Sequence, residues 1–418
     1  MSEQRNIIVV GASGAGLLST HYILKHLLPV LKAKGDAKYH VYTISPYPHW
    51  YFRVASPRVA ASTSRMASDK IIFDLHEGFK QYSPDDFTFI EASATGLDTS
   101  ARTISYRRSK RAADKRLPYH ALIVATGSKT YHPAFSMSTD VHSTMEAITS
   151  TNERVNSAKS IVIAGGGPTA IEFAGEVGEH RNGKPGWFSK AEPKANITLI
   201  TAGKQLLPNL RPVVAKAAET KLEALGVKVV YNTRVTDSSS TKDGRTALTF
   251  NNGDTMETDY YVPAYGVEPN SSWLPEELLD KKGYLITHPT TLRVEAAGPR
   301  VYAFGDIASY SRNNFWDMMG SLPVMAVNMK RDLLAYNPML PNEKPKGKDR
   351  EYTADTREGM VVPIGSGGGV GVVMGWRVPG WFVWFLKGRD YMLGMSGMST
   401  LMGSKVKEVT WSMEEAAI

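Results

Sequence analysis

An α/β fold built on two nucleotide-binding βαβ modules, followed by a separate C-terminal region, is predicted by three observations. Strand–glycine-turn–helix units occur twice in the 418-residue chain, at Ile7–Leu31 and Ile161–Val177. Two further apolar strands, Ala121–Val124 and Val301–Phe304, run into the turns Thr126-Gly127 and Gly305-Asp306. The composition, 42% hydrophobic and 22% charged, is that of a globular chain of two or three domains, which excludes disorder, collagen and coiled coil.

In the first unit the short run Ile7–Val10 reads as a buried parallel strand, and Leu17, Leu24, Leu28 and Leu31 recur at helical spacing after it. Between them stands Gly11-Ala12-Ser13-Gly14-Ala15-Gly16. Gly11 permits the tight turn, small Ser13 and Gly14 let the backbone approach a pyrophosphate, and Gly16 lets helix and strand pack closely. The helix N-terminus then offers N–H donors and a positive dipole end to phosphate. Ser13 replaces the usual second glycine of this turn.

The next landmark is basic: Arg107, Arg108, Lys110, Arg111, Lys115 and Arg116 face Asp114 alone and hold much of the net charge of +8. Lying between strand-like Thr103–Tyr106 and His120–Val124, the cluster reads as a solvated hairpin tip, so no nucleic-acid partner is expected. Lys344, Lys346, Lys348 and Arg350 read as a Pro- and Lys-rich linker.

The second unit enters Gly165-Gly166-Gly167-Pro168-Thr169-Ala170 from Ser160–Ala164 and continues as a helix through Ile171, Phe173, Ala174 and Val177. Its next strand, Ile197–Ile200, ends in Thr201 and not in the acid that would hold a free ribose 2′-hydroxyl. Lys204 just beyond can face a 2′-phosphate or solvent. The nicotinamide cofactor is therefore NADPH or NADH.

Several classes fall away. The chain has no cysteine, so any redox chemistry belongs to a bound cofactor and not to a thiolate. The ten histidines form no metal-ligand spacing, and no nucleophile motif is present. The longest uncharged run, Gly359–Trp376, is interrupted by Pro363 and repeated glycines, so no membrane-spanning helix is expected. With no hydrophobic leader and Ser2 in place of a myristoylated glycine, the expected location is the cytoplasm, with peripheral contact at a membrane surface left open.

Read in order, Gly11–Gly16, Ala125-Thr126-Gly127, Gly165–Ala170, Gly266 in Pro263–Gly266 and Gly305-Asp306 resemble the two-dinucleotide-binding-domain flavoproteins. The segments Ala335–Pro338, Val362–Gly365 and Trp381–Asp390, with its Lys387-Gly388-Arg389-Asp390 element, resemble the apoptosis-inducing-factor-like branch, which includes the ferroptosis suppressor protein. The resemblance covers essentially the whole chain. It implies two Rossmann-like domains, an NAD(P)H domain inserted in an FAD domain, plus a C-terminal α+β region. The implied boundaries are 1–138 and 268–345 for FAD, 139–267 for NAD(P)H, and 346–418 for the C-terminal region.

The resemblance also implies site residues. Arg58 falls on the branch's flavin arginine, Ala94 on its adenine-side backbone contact, and Asp306 on the acid of the ribityl or pyrophosphate region. Glu172 matches a glutamate near the nicotinamide, and Lys387 a lysine close to the flavin that can hydrogen-bond an acceptor carbonyl. Pairing of Lys387 with Asp390 on a surface turn is its alternative. Ser45 stands where relatives carry an acid for the adenosine ribose. A helix opening at Ser321-Leu322-Pro323-Val324, with proline at its first position, is expected to aim the Val324 N–H at the flavin.

The activity implied is FAD-dependent hydride transfer from NAD(P)H to a quinone or similar lipophilic acceptor, in the manner of a quinone reductase. A flavin-dependent oxidase or tailoring enzyme of one metabolite, and a redox-sensing flavoprotein binding module, are the alternatives. Trp381, Phe382, Trp384, Phe385, Tyr391, Met392, Met395, Met398 and Met402 serve equally as core or as an apolar pocket or interface.

Overall fold

The computed structural model describes residues 3–137, 140–186 and 190–417. The strands Gln4–Val10, Lys38–Ser45 and Phe87–Glu91 join Ala121–Val124 and Val301–Ala303 in one five-stranded parallel sheet. Ile7 lies opposite Val41 on one side and Ala121 on the other, while Tyr302 lies opposite Ile123. Both faces of this sheet are covered, which explains why Ile7–Val10 reads as an unbroken apolar run.

A second parallel sheet is formed by Val227–Val230, Asn196–Ile200, Ser160–Ala164 and Tyr260–Pro263. All four of its strands fall in the chain between Ala121–Val124 and Val301–Ala303, so one α/β unit is inserted into the other. The chain crosses at Ser128–Lys129, which pairs antiparallel with Glu268–Pro269 on its return. Reciprocal bonds tie the same place: Thr126 Oγ1 donates to the Asn270 carbonyl at 2.9 Å and Asn270 Nδ2 to the Thr126 carbonyl at 2.8 Å.

Helical segments run Gly14–Tyr22, Ile23–Leu27 and Leu28–Lys34, the middle one a π turn. Pro29 lacks an N–H and would crowd the preceding turn of a regular helix, and the wider π turn immediately before it relieves that clash. The expected hairpin is present as Thr103–Arg107 paired with Lys115–Pro118, with Arg107 bound to Asp114 at 2.7 Å across its tip. Ala121–Val124 belongs instead to the central sheet.

The helix expected to open at Ser321 begins earlier, as Phe315–Leu334, and Pro323 lies inside it. Asn314 is the reason: its side chain accepts from the Asp317 N–H at 2.8 Å, a stronger start signal than proline alone. The basic linker is tied down rather than free. Arg350 pairs with Glu415 at 2.7 Å, and Arg331 donates to the Lys346 carbonyl at 2.6 Å.

The C-terminal region pairs Met360–Pro363, Gly369–Val373 and Trp376–Val378 in an antiparallel sheet. Gly380–Val383 and the π turn Trp384–Gly388 follow. Among the described residues no helix is long and apolar enough to cross a membrane, and no group of three or more metal-ligating side chains is assembled.

Candidate redox site

The first glycine turn is a cradle that side chains would fill. Gly11 holds φ +106°, and a Cβ on Gly16 would overlap the Gly11 carbonyl oxygen. Ser13 caps the helix in extended conformation without a side-chain capping bond, and no acid occupies the first turn. The first-turn N–H groups and the serine hydroxyl are thus left for an anion. Gly14 is bordered only by the Met318 side chain, 3.9 Å from where its Cβ would stand.

Gly127 and Gly305 take left-handed φ values of +66° and +81°, and the Gly305 turn abuts Ala15. Asp306 accepts from Ser128 Oγ at 3.0 Å and lies 3.6 Å from Arg53. Ser45 closes the neighbouring strand beside Gly11, whose N–H bonds the Ile44 carbonyl at 2.8 Å. Ala94 lies in Ser93–Asp98 opposite Tyr106, at a register shift before Gly96. Val324 is buried well inside its helix, where the backbone ladder takes its N–H; the helix N-terminus stands at Asn314–Asp317 instead and is capped by the Asn314 side chain.

The second cradle repeats the device. Gly165 holds φ +148° with its would-be Cβ overlapping the Ala264 carbonyl oxygen, Gly167 is an N-cap facing open space, and Pro168 is the first helical residue. Gly266 has φ +62° beside Tyr131. Thr201 is buried and accepts from the Gly203 N–H at 3.2 Å. Lys204 is exposed and forms no ion pair among the described residues.

Between these cradles and the C-terminal region lies an ion pair joining residues 215 positions apart: Lys387 Nζ sits 2.5 Å from Glu172 Oε1. Glu172 is 3% exposed, and burial pushes its carboxyl up to about 7 against the opposing pull of Lys387. The Asp390 alternative for Lys387 gives way, because Asp390 faces Arg389 at 3.7 Å. A buried acid that ionises near neutrality beside an ammonium can give or take a proton at an adjacent carbonyl.

One turn further along the same helix, fully buried Glu176 takes Arg58 Nε at 3.0 Å, Arg58 Nη2 at 2.8 Å, Arg65 Nη1 at 2.9 Å and the Tyr391 hydroxyl at 3.1 Å. Arg58 also donates to the Gly388 and Arg389 carbonyls at 2.8 and 3.0 Å. Four of its five N–H groups are thereby given to protein acceptors. Sequence reasoning missed Glu176, Arg65 and the burial of Tyr391. The available signal was the i, i+4 spacing of Glu172 and Glu176 within the apolar stretch Ala170–Val177 of the helix. The aromatic and methionine run divides: Tyr391 is core, while Trp381 is 68%, Phe385 54% and Met398 58% exposed.

Two glycine cradles with uncommitted helix N-termini, one bordered by Asp306, fit FAD and a nicotinamide dinucleotide. A sequence profile described as pyridine nucleotide-disulphide oxidoreductase matches residues 5–329. The chain belongs to that family. It is an oxidoreductase whose cofactors are FAD and NAD(P)H. The family's dithiol has no counterpart, since the chain has no cysteine.

Oxidoreductase phnG of Penicillium herquei is 39% identical over 94% of this chain and 95% of its own length. An external alternative NAD(P)H-ubiquinone oxidoreductase of Solanum tuberosum mitochondria is 23% identical over 77% of this chain and 58% of its own. The sulfide:quinone oxidoreductase of Aquifex aeolicus shares the fold, with a TM-score of 0.68 at 14% identity across 96% of this chain and 92% of that one.

Proposed function

We propose that the protein passes reducing equivalents from NADPH, or NADH, to a quinone-class lipophilic acceptor, and that Lys387 and Glu172 serve the acceptor. The Lys387–Glu172 pair carries this reading, because it puts a cation and a neutral-range acid together where the inserted unit meets the C-terminal region. The ubiquinone named for the potato relative supports the acceptor class.

When bound, a flavin would supply the two-electron chemistry between the nicotinamide and the acceptor. Gly11, Ser13, Gly14 and Gly16, with Thr126, Gly127 and Asp306, would hold the flavin dinucleotide. Gly165, Gly167, Pro168 and Gly266 would hold the nicotinamide dinucleotide. Lys204, with no carboxylate partner among the described residues, and Thr201 in place of an acid favour the 2′-phosphate of NADPH. Lys387 polarises the acceptor carbonyl, and Glu172, protonated in part at neutral pH, delivers a proton to the oxygen that gains charge.

The test is NADPH oxidation by the FAD-loaded protein with and without a water-soluble ubiquinone analogue. Turnover at least a hundredfold above that with oxygen alone is expected. Equal rates with and without quinone overturn the reading.

A further inference from the structure

Lys387 reaches Glu172 from a turn that is strained and held from several sides. Just beyond the π turn Trp384–Gly388 come two consecutive left-handed residues, Tyr391 at φ +55° and Met392 at φ +65°. Left-handed backbone is costly for a large side chain and persists only where surrounding contacts impose it. Those contacts are specific. The Tyr391 N–H bonds the Lys387 carbonyl at 2.6 Å, its hydroxyl donates to Glu176 at 3.1 Å, and its ring lies 4.6 Å beneath the Arg58 guanidinium. Arg58 grips the carbonyls of Gly388 and Arg389 immediately after the lysine. The Lys387 ammonium itself lies 5.6 Å from the Tyr391 ring.

We infer that Arg58, Glu176 and Tyr391 are positioning residues that clamp the Lys387 turn against the Glu172 helix, with Arg58 spent on this clamp and not on the flavin. The inference rests on the proposed role of the Lys387–Glu172 pair. Its components come from three stretches of chain: helix Ser56–Ala61, helix Pro168–Asn182 and the C-terminal turn. Glu172 and Glu176 stand one turn apart, and each takes a cation from a different stretch. Exchange of partners would place Lys387 on Glu176, where Arg58 and Tyr391 already bond Oε1 and Arg65 lies 2.9 Å from Oε2, so the exchange is disfavoured. The groups that bear on Glu172 are Lys387 from the C-terminal turn, Glu176 on its own helix, Arg58 from the first unit, and Tyr391.

The experiment uses the FAD-loaded full chain and measures acylation of Lys387 by an amine reagent, read by peptide mass spectrometry with exposed Lys204 as internal reference. Tyr391→Phe keeps the ring and removes the hydroxyl, Arg58→Lys keeps the charge and loses the fork, and Glu176→Gln removes the shared acceptor. In Tyr391→Phe and Arg58→Lys, labelling of Lys387 relative to Lys204 rises at least fivefold, with the thermal midpoint close to that of the parent. Glu176→Gln also shifts the carboxyl infrared band assigned by Glu172→Gln to a lower midpoint pH, because a like charge is lost and Arg58 and Arg65 are released.

A purely structural strut would lower the thermal midpoint and leave both readouts unchanged. Unchanged Lys387 labelling in folded Tyr391→Phe and Arg58→Lys overturns the inference, whatever Glu176→Gln does. Neither readout involves an acceptor, so quinone turnover fails or succeeds separately.

Discussion

Glu172 makes stability depend on pH in a way that a single substitution exposes. Burial raises its carboxyl from 4.5 to about 7 in the folded protein, with Lys387 only partly opposing the shift. The folded state therefore holds a proton that the unfolded chain releases between pH 4.5 and about 7, and stability falls as pH rises through that window. The difference, 7 − 4.5, at ~1.4 kcal/mol per unit sets a ceiling of about 3.5 kcal/mol. Glu172→Gln cannot titrate and loses this slope. Denaturant midpoints of the FAD-loaded parent and variant at pH 4.5, 6 and 8 provide the assay. The variant gains steadily on the parent with pH, by about 3.5 kcal/mol at most at pH 8. A parent–variant difference that stays constant across the range refutes the assignment of a buried, neutral-range acid.

Gly16→Ala drives a methyl group into the Gly11 carbonyl, so the purified variant is expected to lose its flavin absorbance, whereas Gly367→Ala, in open space and without a left-handed φ, is expected to keep it. Lys204→Ala weakens 2′,5′-ADP binding about tenfold, as expected for one lost charged contact of ~1.4 kcal/mol, and leaves 5′-AMP binding unchanged in calorimetry. Trp381→Ala removes a mostly exposed ring beside the Lys387 turn; the KM for a lipophilic quinone rises several-fold while the thermal midpoint holds.

Much of the architecture could be read because its signals are local. Gly11, Gly16 and Gly165 are needed wherever a strand turns directly into a helix under a neighbouring carbonyl, and that requirement is written in a few adjacent residues. The insertion was legible for the same reason: Ala121–Val124 and Val301–Ala303 are each short apolar runs ending in glycine turns. Pro323 misled because a first-position proline is only a local preference, and the Asn314 side chain decided where the helix begins.

At the site, Glu172 and Lys387 were each identifiable, yet their union was not. Asp390 lies three residues from Lys387 and is the partner that proximity suggests; Glu172, 215 residues away, is brought in by the packing of the C-terminal region on the Glu172 helix. Arg58 matched a flavin-binding position, but its geometry depends on Glu176 and on backbone carbonyls at 388 and 389, which no motif announces.

The most direct measurement is a two-step rapid-mixing experiment on the parent and Lys387→Met, each first reduced with NADPH and then mixed with a ubiquinone analogue while flavin absorbance is followed. Bleaching at comparable rates in both proteins, and a return of colour at least tenfold slower in Lys387→Met, is the predicted result. Recovery of Lys387→Met at the parent rate would contradict the assignment of the acceptor to the Lys387–Glu172 pair.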